Sequence, residues 1–206
     1  MNQHTINKSF TLTGKGLHTG LHLSAVFHPS VENKGIRFCR TDLQGKPCFE
    51  AVADYVCATE RGTVLKNGEW VVSTVEHALS ALYAMGVDNC LIEVDGSEMP
   101  ILDGSAMPFV EQIKNVGLKE QKAEQKVFQV RRKMVFEDSV SGSRIEILPD
   151  DQYSLDVHID FNSPCLGNSF ASLQDMSQYE KEVASARTFV FVREIFPLLQ
   201  KGLIKG

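Results

Sequence analysis

Between Thr63 and Gly86 the chain passes from strand-like to helix-like apolar spacing across a turn signal, which confines this region to a hairpin followed at once by a helix. Thr63-Val64-Leu65 and Trp70-Val71-Val72 flank Lys66-Asn67-Gly68-Glu69, and Asn-Gly between two apolar runs suits a type I′ turn. Val75, Ala78, Leu79, Leu82 and Met85 then share one helical face, and Gly86 supplies a stop. Glu76 and His77 fall well off the centre of that stripe. An imidazole placed there is expected to face a site or solvent rather than the core.

Strand patterns dominate the first third of the chain. Ile6, Phe10 and Leu12 alternate with polar residues, as do Leu21, Leu23, Ala25 and Phe27, so each segment buries one face. After the helix comes a strand over Leu91 to Val94 and a turn through Gly96 and Pro100. A second helix starts near Pro108, with Phe109, Val110, Ile113 and Val116 on one face and Gly117 closing it. Leu118 to Lys126 is almost entirely Lys, Glu and Gln and reads as a charged linker over 119–126. The pattern then restarts, with strands near Val127 to Phe136, Arg144 to Leu148 and Leu155 to Phe161 and helical signals from Ser177. The expected organisation is therefore two α+β units, 1–118 and 127–206. The second is short for an independent core, and an apolar segment begins at Leu203 just before the sequence stops. The chain is expected to end inside an incomplete second domain.

Composition excludes several classes. A hydrophobic fraction of 43% with 23% charged residues fits a soluble globular protein. The net charge of −5 and the absence of a long basic stripe argue against a nucleic-acid partner. No apolar run approaches the roughly 20 residues that span a bilayer, and Met1-Asn2-Gln3-His4 lacks the features of a signal peptide. The five cysteines include no Cys-x-x-Cys and read as reduced thiols in a cytoplasmic protein.

Three groups could carry chemistry. His18 and His22 have a spacing that suits metal on a helix, but Thr19 and Gly20 between them point to a turn entering a strand. Asp156, His158 and Asp160 share one face of a strand and could hold a metal, although the wet face of a half-buried strand accounts for them more simply. Glu76-His77 admits two readings. With Ser73 as N-cap, Glu76 stands where a capping box would place it. The same pair can also supply a general base beside a zinc ligand.

Ser-Thr-Val-Glu-His at 73–77 resembles the signature of the zinc-dependent UDP-3-O-acyl-N-acetylglucosamine deacetylases of lipid A biosynthesis. Gly-Leu-His-Thr-Gly at 16–20, Gly-Val-Asp-Asn at 86–89 and Pro-Ile-Leu-Asp-Gly-Ser-Ala at 100–106 do so too. Asp-Phe-Asn-Ser-Pro at 160–164 and Ser-Ala-Arg-Thr-Phe at 185–189 complete six motifs in the family's order. The resemblance implies two α+β domains packed with their helices between the sheets and a site between them. It makes His77 one ligand of a catalytic Zn2+ and Glu76 the general base on the metal-bound water. Thr188 would donate to the developing oxyanion and Phe189 would line the substrate pocket. Phe191, Ile195, Leu198 and Leu199 would begin an acyl-chain passage, although an ordinary amphipathic core helix explains each of these equally well. His18 matches a family position near the site.

The implied substrate is UDP-3-O-acyl-N-acetylglucosamine, and some family members carry a fused acyl-carrier-protein dehydratase downstream. The family's further ligands, a His-x-x-x-Asp pair, and its later acid histidine have no counterpart here, since no histidine is followed four residues on by aspartate. A catalytic zinc normally takes three protein ligands, so the chain alone is expected to be inactive and to bind zinc weakly or not at all. Two rivals stand beside this reading: a non-catalytic binder of sugar nucleotide or acyl chain on the same fold, and a different metallohydrolase built on Asp156, His158 and Asp160.

Overall fold

The computed structural model describes residues 1–205 and is α+β. Its contacts divide the chain into two compact units, Met1–Gln125 together with the segment from Glu180 onward, and Lys126–Tyr179. Within the first unit a five-stranded sheet runs in the order β2 (Phe10–Lys15), β3 (His22–Pro29), β9 (Cys90–Val94), β4 (Ile36–Arg40), β5 (Cys48–Glu50). Only the β4–β9 pair is parallel. Alternation along β3 buries Leu23, Ala25 and Phe27 and leaves the residues between them half exposed, as the period-two pattern requires.

Two helices complete the core of this unit. α1 (Glu76–Ala84) buries Ala78, Ala81 and Leu82, and α2 (Met107–Val116) buries Phe109, Val110 and Ile113. The helices pack on each other. Phe27 stacks on Phe10 at 4.5 Å and meets Phe109 edge-on at 5.9 Å, so sheet and helix share one apolar interior. Both helices end where the sequence places a stop, at Gly86 and Gly117, which take positive φ of 72° and 74°.

The hairpin stands as the sequence predicts, formed by β7 (Val64–Asn67) and β8 (Trp70–Ser73), with β6 (Val56–Ala58) added at its edge. The turn differs by one residue. Asn67 pairs with Trp70, so the loop is Gly68-Glu69, and only Gly68 has positive φ. That is the glycine-first pattern of a type II′ turn rather than the Asn-Gly type I′. Buried Arg40 ties sheet to hairpin: its guanidinium grips Asp42 through two hydrogen bonds and donates to the Val71 carbonyl at 2.6 Å.

The Lys/Glu/Gln stretch after α2 is not a bare connector. Leu118–Glu124 forms β10, which pairs antiparallel with β1 (Asn2–Ile6). Its side chains are polar because it is an edge strand, where charge discourages further pairing. Gln121 donates to the Ser30 carbonyl and accepts from buried Asn89. The cysteine expectation also needs revision. Cys39 and Cys48 face each other across the antiparallel β4–β5 pair, with Cα atoms 4.1 Å apart, and are joined in a disulfide, while Cys57, Cys90 and Cys165 are free. A separation of nine residues carries no such signal until the strand register brings the pair together.

The second unit consists of two antiparallel hairpins, β11 (Met134–Glu137) with β12 (Arg144–Ile147) and β13 (Leu155–Asp160) with β14 (Asn168–Leu173). β14 lies outside the strands read from sequence. Asp156, His158 and Asp160 do share a face, as alternation predicts. The opposite face of Leu155, Val157 and Ile159 is also exposed, so β13 is not half-buried. A four-residue helix, α3 (Tyr179–Glu182), leads back to the first unit, where α4 (Val192–Gln200) follows.

Candidate functional site

Glu76 is the first residue of α1, and its carboxylate does not close a capping box. The cap position falls on Val75 without a side-chain hydrogen bond, and the Ser73 hydroxyl donates to the Ser97 carbonyl at 3.1 Å. Glu76 Oε2 instead accepts the backbone N–H of Thr63 at 2.8 Å. The cause lies in Thr74, whose φ of 58° is unusual for a β-branched residue. It turns the chain sharply out of β8, so that the helix begins later than Ser73 and Glu76 points toward the 60–63 loop. Glu76 and His77 are both half-buried, clear of the residues that α1 packs into the core.

The 16–20 loop is fixed from beneath. Glu98 accepts the N–H groups of His18 and Thr19, each at 2.9 Å. His18 Nδ1 is shielded from solvent without a hydrogen-bond partner. His22, at the start of β3, is exposed, so the two histidines flank a turn as expected.

Several contacts dock the later segment of the first unit onto these loops and onto the turn at Asp103-Gly104. The Thr188 N–H donates to the Gly104 carbonyl at 2.9 Å and Arg187 pairs with Asp103 at 3.3 Å, which joins the Ser-Ala-Arg-Thr-Phe motif to the Leu-Asp-Gly-Ser motif. Arg61 pairs with Glu194 of α4 at 3.0 Å, close to the Thr63 N–H that holds Glu76. The Lys205 N–H donates to the Leu17 carbonyl at 3.0 Å. Burial opposes ionisation of Asp103, but the Ser105 hydroxyl and N–H together with Arg187 hold its carboxyl below the usual value. The Arg61 guanidinium beside Glu194 likewise lowers that carboxyl.

The apolar candidates divide by environment. Phe189 and Phe191 meet edge-on at 5.6 Å, and Arg193 lies over the Phe191 ring at 4.5 Å. Leu198 is buried, Ile195 half-buried, and Phe189 and Leu199 are 56% and 51% exposed. Leu198 therefore serves the interior of the unit, while Phe189 and Leu199 offer open surface.

Among the described residues no group of three or more His, Cys, Asp or Glu side chains converges to hold a metal ion. His77 with Glu76 is short of the three protein ligands that zinc takes. Asp156, His158 and Asp160, although on one face, make no such group; Asp156 accepts instead from Gln174 at 3.0 Å. Sequence reading missed Thr63, Glu98, Arg61 and Glu194. Only Glu98 offered a trace, as a lone carboxylate in the turn Gly96-Ser97-Glu98-Met99-Pro100.

Residues 3–206 match the UDP-3-O-acyl N-acetylglycosamine deacetylase (LpxC) family, and the chain belongs to it. A Porphyromonas gingivalis protein named bifunctional enzyme LpxC/FabZ is 53% identical over 204 residues, covering 99% of this chain and 44% of the relative. A Bacteroides thetaiotaomicron protein of the same name is 52% identical, covering 100% of this chain and 45% of the relative. The UDP-3-O-acyl-N-acetylglucosamine deacetylase of Actinobacillus succinogenes is 39% identical over 99% of this chain and 68% of its own length. The chain thus spans less than half of the two bifunctional relatives. No helix among its described residues is long and apolar enough to cross a membrane.

Proposed function

We propose that this chain is the part of a zinc-dependent UDP-3-O-acyl-N-acetylglucosamine deacetylase that carries the general base. The observation behind this reading is the setting of Glu76, a half-buried carboxylate at the start of α1, off the apolar stripe and next to His77. Thr63 occupies Oε2 with its N–H and leaves Oε1 to take a proton from water. Fixing one oxygen in this way orients a base, and orientation is a large part of what a general base contributes.

His77 would supply one imidazole to a zinc ion, which would polarise the attacking water and would need further protein ligands beside it. Thr188 is the oxyanion donor through its hydroxyl, since its N–H is spent on Gly104. Phe189, Phe191 and the α4 residues Ile195 and Leu199 flank the acyl chain of UDP-3-O-acyl-N-acetylglucosamine, with Leu198 packed beneath them. The protein works in the cytoplasm in lipid A biosynthesis. Its full-length form carries a downstream acyl-carrier-protein dehydratase domain, a reading supported by relatives named as bifunctional.

The test is acetate release from UDP-3-O-acyl-N-acetylglucosamine by the full-length protein and by this chain alone. Full-length protein should be active, and Glu76→Gln should lower kcat by about a hundred-fold or more. This chain alone should release none. A full-length protein with bound zinc and no deacetylase activity would leave the non-catalytic reading in possession.

A further inference from the structure

Glu98 is completely buried, at 0% exposure, and among the described residues no Lys, Arg or His forms an ion pair with it. An apolar side chain in the same space would avoid the desolvation penalty of a carboxyl group. What the carboxyl group gains is a set of three donors. Its Oε1 accepts the His18 N–H at 2.9 Å and the Thr74 hydroxyl at 3.3 Å, and its Oε2 accepts the Thr19 N–H at 2.9 Å.

These donors belong to two segments that Glu98 ties together. One is the 16–20 loop that carries His18. The other is the left-handed turn at Thr74, two residues before Glu76. A buried β-branched residue at φ 58° persists only where its surroundings over-determine it. Here the surroundings are the Ser73–Ser97 and Met99–Ser73 backbone hydrogen bonds, at 2.9 and 3.0 Å, and the Glu98 carboxyl group. The opposite side is equally closed, since a Cβ on Gly16 would lie 2.4 Å from Glu98 Oε2.

We infer that Glu98 is a positioning residue for the deacetylase site: through Thr74 it sets the direction in which Glu76 and His77 leave β8, and through His18 and Thr19 it locks the adjoining loop. This rests on the functional reading above and adds to it a residue that touches neither water nor substrate. Gln in its place keeps the volume but turns one acceptor oxygen into a donor that opposes the loop N–H groups.

Two measurements test the inference. In the full-length protein Glu98→Gln should lower kcat for acetate release by about ten-fold or more while KM stays within about two-fold and bound zinc is unchanged, because misdirection of the base falls on the chemical step. In this chain, amide hydrogen exchange at His18 and Thr19 should accelerate in the same variant while Ile92 in β9 stays protected. A Glu98→Gln enzyme with kcat at the parent level, or one whose loss only tracks its unfolded fraction, overturns the positioning role. If Glu98→Gln does not fold, Thr74→Val removes the hydroxyl alone, and an unchanged kcat in that variant overturns it equally. A wild-type protein without deacetylase activity overturns the reading beneath, and the anchoring of the 16–20 loop is then decided by exchange alone, with unchanged protection at His18 and Thr19 refuting it.

Discussion

Thr63 donates its backbone N–H to the Glu76 carboxylate at 2.8 Å, and the residue before Thr63 is a glycine for a related reason. Gly62 has φ of 152°, and a Cβ placed there would lie 3.3 Å from Glu76 Oε1. Gly62→Ala therefore combines a backbone conformation that L residues rarely adopt with crowding against Glu76 Oε1, the oxygen that does not accept the Thr63 N–H. The substitution should cost about 1–3 kcal/mol, read as a lower urea midpoint with an unchanged m-value. An alanine variant as stable as its parent would mean the 60–63 loop can relax freely, and the held geometry of Glu76 would lose its support.

The Arg187–Asp103 contact predicts an acid-sensitive docking of the segment that carries Thr188. Asp103 has a carboxyl held below its ordinary value of 3.8, with burial opposing and Ser105 and Arg187 prevailing. A lowered folded-state pKa contributes stability that is fully present above the unfolded value and is lost as pH falls through the folded one. The stability difference between wild type and Asp103→Asn should be constant from neutral pH down to about pH 5 and shrink below about pH 4. Urea unfolding across that range measures it. Arg187 is well exposed, so Arg187→Ala should have the smaller effect of the two. A difference that grows on acidification would contradict the assignment.

Phe27 carries the junction of sheet and helices, fully buried and touching both the Phe10 and Phe109 rings. Phe27→Ala should destabilise the first unit by about 3–5 kcal/mol. Loss of near-ultraviolet circular dichroism at lower denaturant is the readout. A cost below about 1 kcal/mol would show that the unit does not depend on this junction.

Local pattern made the hairpin, α1 and α2 legible from sequence, because apolar spacing and glycine stops are properties of adjacent residues. What stayed hidden depends on partners distant in sequence. β10 reads as linker because an edge strand is polar by design, and only its register with β1 reveals it. The pairing Asn67–Trp70 moved the turn by one residue without altering the strands. At the candidate site Glu76 was visible, but its partner was not: the local signal favoured a capping box, and the left-handed Thr74 that removes it is held by Glu98, 24 residues away. The exposed apolar face of β13 likewise reads from sequence as an ordinary half-buried strand.

The cysteines divide into three chemical classes, which one labelling experiment separates. Cys57 and Cys165 are exposed and free, and should react with iodoacetamide within minutes in the native protein. Burial pushes the Cys90 thiol up to about 12, so almost none of it is thiolate at neutral pH, and it should react only after unfolding. Cys39 and Cys48, joined across β4 and β5, should resist labelling even in denaturant until a reductant is added. The link closes a short loop and should contribute about 2–3 kcal/mol by the chain-entropy estimate, read as a lower urea midpoint for Cys48→Ser. In a reducing cytoplasm the pair is held as two thiols. Protein purified with reductant should then show Cys39 and Cys90 protected until unfolding, while Cys48, which is exposed, reacts natively with iodoacetamide alongside Cys57 and Cys165. A Cys39–Cys48 bond surviving in freshly lysed cells, trapped by acid quench, would argue against the cytoplasmic assignment.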